Sequence, residues 1–129
     1  MRQCLGMPPE PSRVRVLVAD DEESFVELVS ILLALEDGIE LVGSARDGAE
    51  AVELARTLAP DVVLMDVDMS GMNGFEATEQ IVRANSSARV VILTGTDTDA
   101  DDARRAGATG YVSKQRVTTD LRRAIDGEP

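Results

Sequence analysis

Four apolar residues, Val62-Val63-Leu64-Met65, run without a polar break between Asp61 and Asp66. A strand with one wet face alternates apolar and polar side chains, so an unbroken run stopped by Pro60 on one side and an aspartate on the other marks a central strand covered on both faces. Such a strand needs helices above and below it, and the flanking sequence supplies them. Short β-branched runs alternate with stretches of helical period along the whole chain.

The first strand is Val14–Ala19. A helix is expected over residues 23–36, with Leu28, Ile31, Leu32 and Leu35 at i, i+3, i+4 and i+7 as one buried stripe and Gly38 as a stop signal just past its end. Ile39–Ala45 reads as the second strand. Asp47-Gly48-Ala49-Glu50 opens the next helix with a side-chain cap three residues before a glutamate, and Ala51, Leu54, Ala55 and Leu58 form its apolar face. After the central strand and a loop over 67–74, Phe75, Ile81 and Val82 mark a third helix and Arg89-Val90-Val91-Ile92-Leu93 a fourth strand ending at Thr94. A weaker, alanine-faced helix over 98–106 should bury little area. A fifth strand over 109–112 and a last helix over 118–126, with Leu121 and Ile125 inward, complete five strands and five helices. Strict alternation at this spacing is the pattern of an α/β fold, a five-stranded parallel sheet with helices on both faces.

Length and composition narrow the function. A chain of 129 residues, 43% hydrophobic and 29% charged, fits one domain, expected over 13–127, with 1–12 as a proline-rich flexible leader and 128–129 as the start of a linker or tail. A net charge of -11 repels nucleic-acid phosphates and anionic lipid, so no direct nucleic-acid binding is expected. The chain has no histidine, which removes His-dependent triads, His-ligated metals and a phosphohistidine carrier role. Its one cysteine, Cys4, allows no internal disulfide. No membrane-length apolar segment or signal-peptide core is present, and a cytoplasmic protein is the expectation.

In open parallel sheets, ligands sit beyond the carboxyl ends of the strands. Here the first strand ends in Asp20-Asp21, the third in Asp66 and the fourth in Thr94, and the fifth is followed by Lys114. A lone acidic residue after a strand is usually a cap or turn former, but five polar residues at four strand ends form a constellation. If the first and third strands are neighbours, three carboxylates converge, and each like-charge pair at ~4 Å costs about 4 kcal/mol at an effective dielectric near 20 unless a cation neutralises it. Oxygen ligands without sulfur or imidazole suit Mg²⁺. Asp66 is placed to act as a carboxylate nucleophile toward phosphorus, with Lys114 and the Thr94 hydroxyl available to phosphoryl oxygens.

At this point the sequence resembles the receiver domain of two-component response regulators. The likeness is carried by Val16-Leu17-Val18-Ala19-Asp20-Asp21, Val63-Leu64-Met65-Asp66-Val67-Asp68-Met69, Gly71-Met72-Asn73-Gly74, Leu93-Thr94-Gly95 and Gly107-Ala108-Thr109-Gly110-Tyr111-Val112-Ser113-Lys114. The resemblance implies a flavodoxin-like (βα)5 fold with strand order 2-1-3-4-5 and a phosphorylation switch, in which the chain catalyses its own phosphotransfer and dephosphorylation and is no metabolic enzyme. Asp66 matches the phosphoacceptor, Asp20 and Asp21 the acidic pair that holds Mg²⁺, and Asp68 the position whose backbone carbonyl completes the metal site. Thr94 and Lys114 match the phosphate-contacting hydroxyl and lysine, and Tyr111 the aromatic rotamer switch. The implied partners are a sensor histidine kinase, a second copy on phosphorylation, and a covalently attached DNA-binding output domain, since the tract from Arg104 to Lys114 looks most like receivers of the LuxR/NarL type. Phosphorylation is expected to change the segment over 95–112, with the output surface on the fourth helix, fifth strand and fifth helix.

Three departures from the family pattern stand out: Ser70 and Gln115 occupy positions where proline is frequent, and the Asp68 side chain adds a carboxylate near the site. Two alternatives compete. Asp66-Val67-Asp68 resembles the nucleophile motif of haloacid-dehalogenase-type phosphatases, although there the nucleophile strand comes first and the acidic pair last, whereas Asp20-Asp21 precede Asp66 by more than forty residues. The other is a receiver-like docking module that works without phosphate, against which the intact Asp66, Thr94 and Lys114 argue.

Overall fold

The all-apolar run does form an inner strand. In the computed structural model, which describes residues 13–69, 71–84, 87–95 and 100–127, β3 (Val62–Asp66) is buried at every position. It pairs in parallel with β1 (Val14–Ala19) on one side and β4 (Arg89–Thr94) on the other. β2 (Ile39–Ala45) and β5 (Gly110–Ser113) close the edges, giving five parallel strands in the order β2-β1-β3-β4-β5. The register sets Asp66 beside Leu93 and Thr94 beside Ser113, which brings the polar strand ends to one edge of the sheet. The sequence expectations for the leader, for residues 98–99 and for 128–129, and the Ser70 departure, lie outside the described residues.

Five helices connect the strands: α1 (Glu23–Ala34), α2 (Gly48–Leu58), α3 (Gly74–Ala84), α4 (Ala100–Ala106) and α5 (Val117–Asp126). One core layer packs β1, β3 and β4 against α1 and α5 through Val29, Leu33, Leu64, Leu121 and Ile125, and the opposite layer uses Leu17, Met65, Ile92, Ala55 and Ile81 against α2 and α3. The expected cap of α2 is present, with Asp47 Oδ1 accepting from the Glu50 N–H at 2.8 Å and Glu50 Oε1 accepting from the Arg46 N–H at 2.7 Å. At the other end of the sheet, Arg15 donates to the Leu58 carbonyl (2.7 Å) and Arg89 to the Ile125 carbonyl (2.6 Å), satisfying the last turns of α2 and α5.

The buried stripe of α1 is not the expected one. Phe25, Val29 and Leu33 face the sheet, whereas Leu28, Ile31 and Leu35 are 36%, 61% and 76% exposed and Leu32 is half-buried. At about 100° per residue the two stripes are centred roughly 110° apart, so α1 is apolar over a wide arc and periodicity does not select its inner line. The packing of its first turn beside the strand ends does. Smaller differences concern ends: α1 stops at Ala34, β5 begins and ends one residue later than expected, and a 3₁₀ turn over Lys114–Arg116 leads into α5, which starts at Val117.

Candidate functional site

Asp20 follows the last residue of β1, and its N–H continues the sheet by donating to the Ala45 carbonyl (2.9 Å). Its two carboxylate oxygens have different tasks. Oδ1 accepts from the Glu22 N–H at 2.9 Å and so shapes the entry to α1, the ordinary role of an aspartate after a strand. Oδ2 is buried without a hydrogen bond of good geometry, and its close neighbour is the Lys114 ammonium at 2.7 Å. Asp66, the last residue of β3, is 4% exposed and lies 3.2 Å from the same ammonium through Oδ1. The loop after it folds back tightly: a Cβ on Gly74 would stand 2.1 Å from the Asp66 carbonyl oxygen, so only glycine fits at the start of α3.

Lys114, the chain's only lysine, therefore bridges the ends of β1 and β3 from the turn after β5. Its Nζ is also 3.8 Å from Glu22 Oε1 and 4.6 Å from the centroid of the Phe25 ring. Thr94, at the end of β4, is buried, while Tyr111 on β5 is 43% exposed. Asp21 is exposed but offers a carboxylate oxygen to a cluster with Asp20 and Asp66 in which the ligand atoms all lie within 4.8 Å of one another. The Asp68 side chain is exposed and outside that cluster. Glu22 and Phe25 were not singled out by the sequence. Glu22 merely extends an acidic run, and Phe25 reads as an ordinary core residue on the helix face that packs inward.

Burial, and then the charge of Asp20, push the Asp66 carboxyl up from its ordinary 3.8 to about 6, against the opposing pull of Lys114. Burial works against the Lys114 ammonium, but its hydrogen bond to Asp20 and the charges of Asp66 and Asp20 outweigh it and hold the group above its ordinary value. One ammonium among three clustered carboxylates leaves the site short of positive charge. A buried Asp20 oxygen whose close partner is that one shared ammonium, and an all-oxygen donor set, make Asp20, Asp21 and Asp66 a fitting place for a hard divalent cation.

A parallel sheet in this order, with an acidic pocket at its carboxyl edge and a lysine across it, defines the class. The chain belongs to the response regulator receiver domain family of two-component systems, whose family model matches residues 16–126. Among its relatives are the response regulator GacA of Pseudomonas viridiflava, 40% identical over 114 residues, covering 87% of this chain and 53% of that protein, and the transcriptional regulatory protein LiaR of Bacillus subtilis, 39% identical over 122 residues, covering 90% and 58%. The chain thus spans about half the length of the curated relatives it matches, which are of the NarL/LuxR type. The response regulator domain of Thermotoga maritima CheB superposes with a TM-score of 0.81 at 30% identity, covering 88% of this chain and 94% of that one. A LuxR-family two-component response regulator from Aurantimonas sp. SI85-9A1 gives 0.79 at 31% identity, covering 91% and 88%. No helix among the described residues is long and apolar enough to cross a membrane.

Proposed function

We propose that this chain is a phosphorylation-activated switch in which Asp66 accepts a phosphoryl group from a phosphohistidine of a sensor kinase. The observation that carries this reading is the Lys114 bridge: one ammonium within 3.2 Å of both Asp20 and Asp66, at the strand ends where this sheet type holds its ligands. An Asp66 oxygen attacks phosphorus, the acyl-phosphate bond forms, and the bond to the departing imidazole breaks. Lys114 then exchanges a carboxylate for a phosphoryl oxygen, keeping its charge paired throughout. Asp20, Asp21 and Asp66, with the Asp68 backbone carbonyl, would hold Mg²⁺, which when bound offsets the charge of the phosphoryl oxygens. The exposed Asp68 carboxylate slows the approach of a dianionic donor.

The buried Thr94 hydroxyl donates to the phosphoryl group, and Tyr111 turns inward from its exposed position. A cavity of about 230 Å³ beside Tyr111, lined by Ala103, Ala108 and Gly110 among others, supplies room for that movement. The changed surface comprises α4, β5 and α5. In the full-length protein it controls a DNA-binding output domain and pairing with a second copy, a reading supported by the transcriptional regulators among the relatives. The test is phosphoryl labelling with and without Mg²⁺: Asp66→Asn keeps the shape of the side chain but removes the nucleophile, and label should vanish. Label retained on the variant, or full labelling in excess chelator, overturns the assignment, and steady turnover of a phosphomonoester makes the chain a phosphatase instead.

A further inference from the structure

We infer that Phe25 is a positioning residue for phosphoryl transfer: its ring face holds the Lys114 ammonium in place while the ammonium changes partners. The inference rests on the phosphoacceptor role of Asp66. Lys114 reaches the site on a flexible four-carbon stem from the turn after β5, and three carboxylates compete for its charge, Asp20 at 2.7 Å, Asp66 at 3.2 Å and the exposed Glu22 at 3.8 Å. Ion pairs alone would let the ammonium follow whichever carboxylate is freest, and Glu22 leads out toward water. The Phe25 ring, 4.6 Å away, closes one side of the ammonium with an apolar surface that is also attractive to a cation.

That surface differs from the carboxylates in one respect. Metal or phosphoryl binding takes over the oxygens of Asp20 and Asp66, but nothing in the reaction occupies the ring, so its hold on the ammonium persists before and after the exchange. The ring is itself packed in place: it is buried in the layer formed with Val112, Val117 and Leu121, and its backbone N–H donates to the Glu22 carbonyl at 3.1 Å in the first turn of α1. Phe25 thereby ties the entry of α1 to the lysine supplied by the far edge of the sheet.

The experiment compares wild type with Phe25→Leu, which keeps an apolar side chain without a π face, and Phe25→Tyr, which keeps the face. Because Lys114 is the only lysine, incorporated ¹³C-lysine reports one side chain, and a ring above the ammonium shifts the Cε protons upfield. The upfield shift is expected in wild type and Phe25→Tyr and is lost in Phe25→Leu. The rate of Asp66 labelling by a small acyl-phosphate donor at saturating Mg²⁺ should fall roughly fivefold in Phe25→Leu, about 1 kcal/mol at 1.36 kcal/mol per decade, and be restored in Phe25→Tyr. An unshifted Lys114 signal in wild type, or a folded Phe25→Leu labelled at the wild-type rate, overturns the role of Phe25 alone. A wild type that takes no label overturns the phosphoacceptor reading and the positioning role with it, whatever the lysine signal shows.

Discussion

Helices α1 and α4 flank the same sheet and are held to it very differently. α1 has twelve residues and sets Phe25, Val29 and Leu33 into the core, with Phe25 also touching the site lysine. α4 has seven and buries only Ala103 and Ala106. Apolar burial contributes ~25 cal/mol per Å², so bulky side chains fix α1 while two methyl groups leave α4 weakly held. On the proposed function, the strand ends beside the well-anchored α1 would carry the reaction, and α4, held by two buried alanines, would be the helix that a modest change in bonding moves.

The contrast is broken most directly by core truncation. Leu33→Ala should cost about 2–5 kcal/mol of unfolding free energy in denaturant titration, whereas Ala103→Gly should cost about 1 kcal/mol, mainly through helix propensity; equal losses would show α4 to be as firmly anchored as α1. The next effect concerns the site. A carboxyl whose value rises from 3.8 to about 6 on folding binds its proton more tightly in the folded state, so its contribution to stability falls as pH rises from about 4 to 6 and stays low above that. In metal-free buffer, Asp66→Asn should match wild type near pH 3.5 and exceed it by about 3 kcal/mol at pH 7. Parallel pH profiles for the two proteins would mean that Asp66 carries no such strain.

Mg²⁺ should then stabilise wild type by about 1.4 kcal/mol at ten times its Kd, through binding to the folded state only. Asp21→Asn should raise metal-free stability and shrink that increment. A melt indifferent to Mg²⁺ at matched ionic strength would remove the metal from the site. A local effect, read in amide exchange rather than in global stability, sharpens the comparison on the α4 side. Thr94→Ala should still accept a phosphoryl group at Asp66, yet amide exchange across 100–112 should no longer respond to it, since one charge-assisted hydrogen bond of roughly 1.5–3 kcal/mol is the bias removed. A response that persists in the variant, or one that appears in α1 instead, would place the moving element elsewhere.

Much of this was legible in the linear chain. An unbroken apolar strand bounded by polar ends, alternating with helical periods, determined a parallel α/β sheet, and the strand ends named Asp20, Asp66, Thr94 and Lys114 before any distance was known. These signals are local: a covered strand must be apolar on both faces, and a ligand-bearing edge must be polar. What only the tertiary structure decided is relational. Periodicity records the angle between residues on α1 but not the rotation of the helix against the sheet, so Leu28, Ile31 and Leu35 turned out exposed while Phe25, Val29 and Leu33 lie inside. Likewise the placing of one ammonium 2.7 Å from Asp20, 3.2 Å from Asp66 and 4.6 Å from Phe25 joins segments far apart in sequence, and only the packing of β1, β3, β5 and α1 around a shared core brings them together.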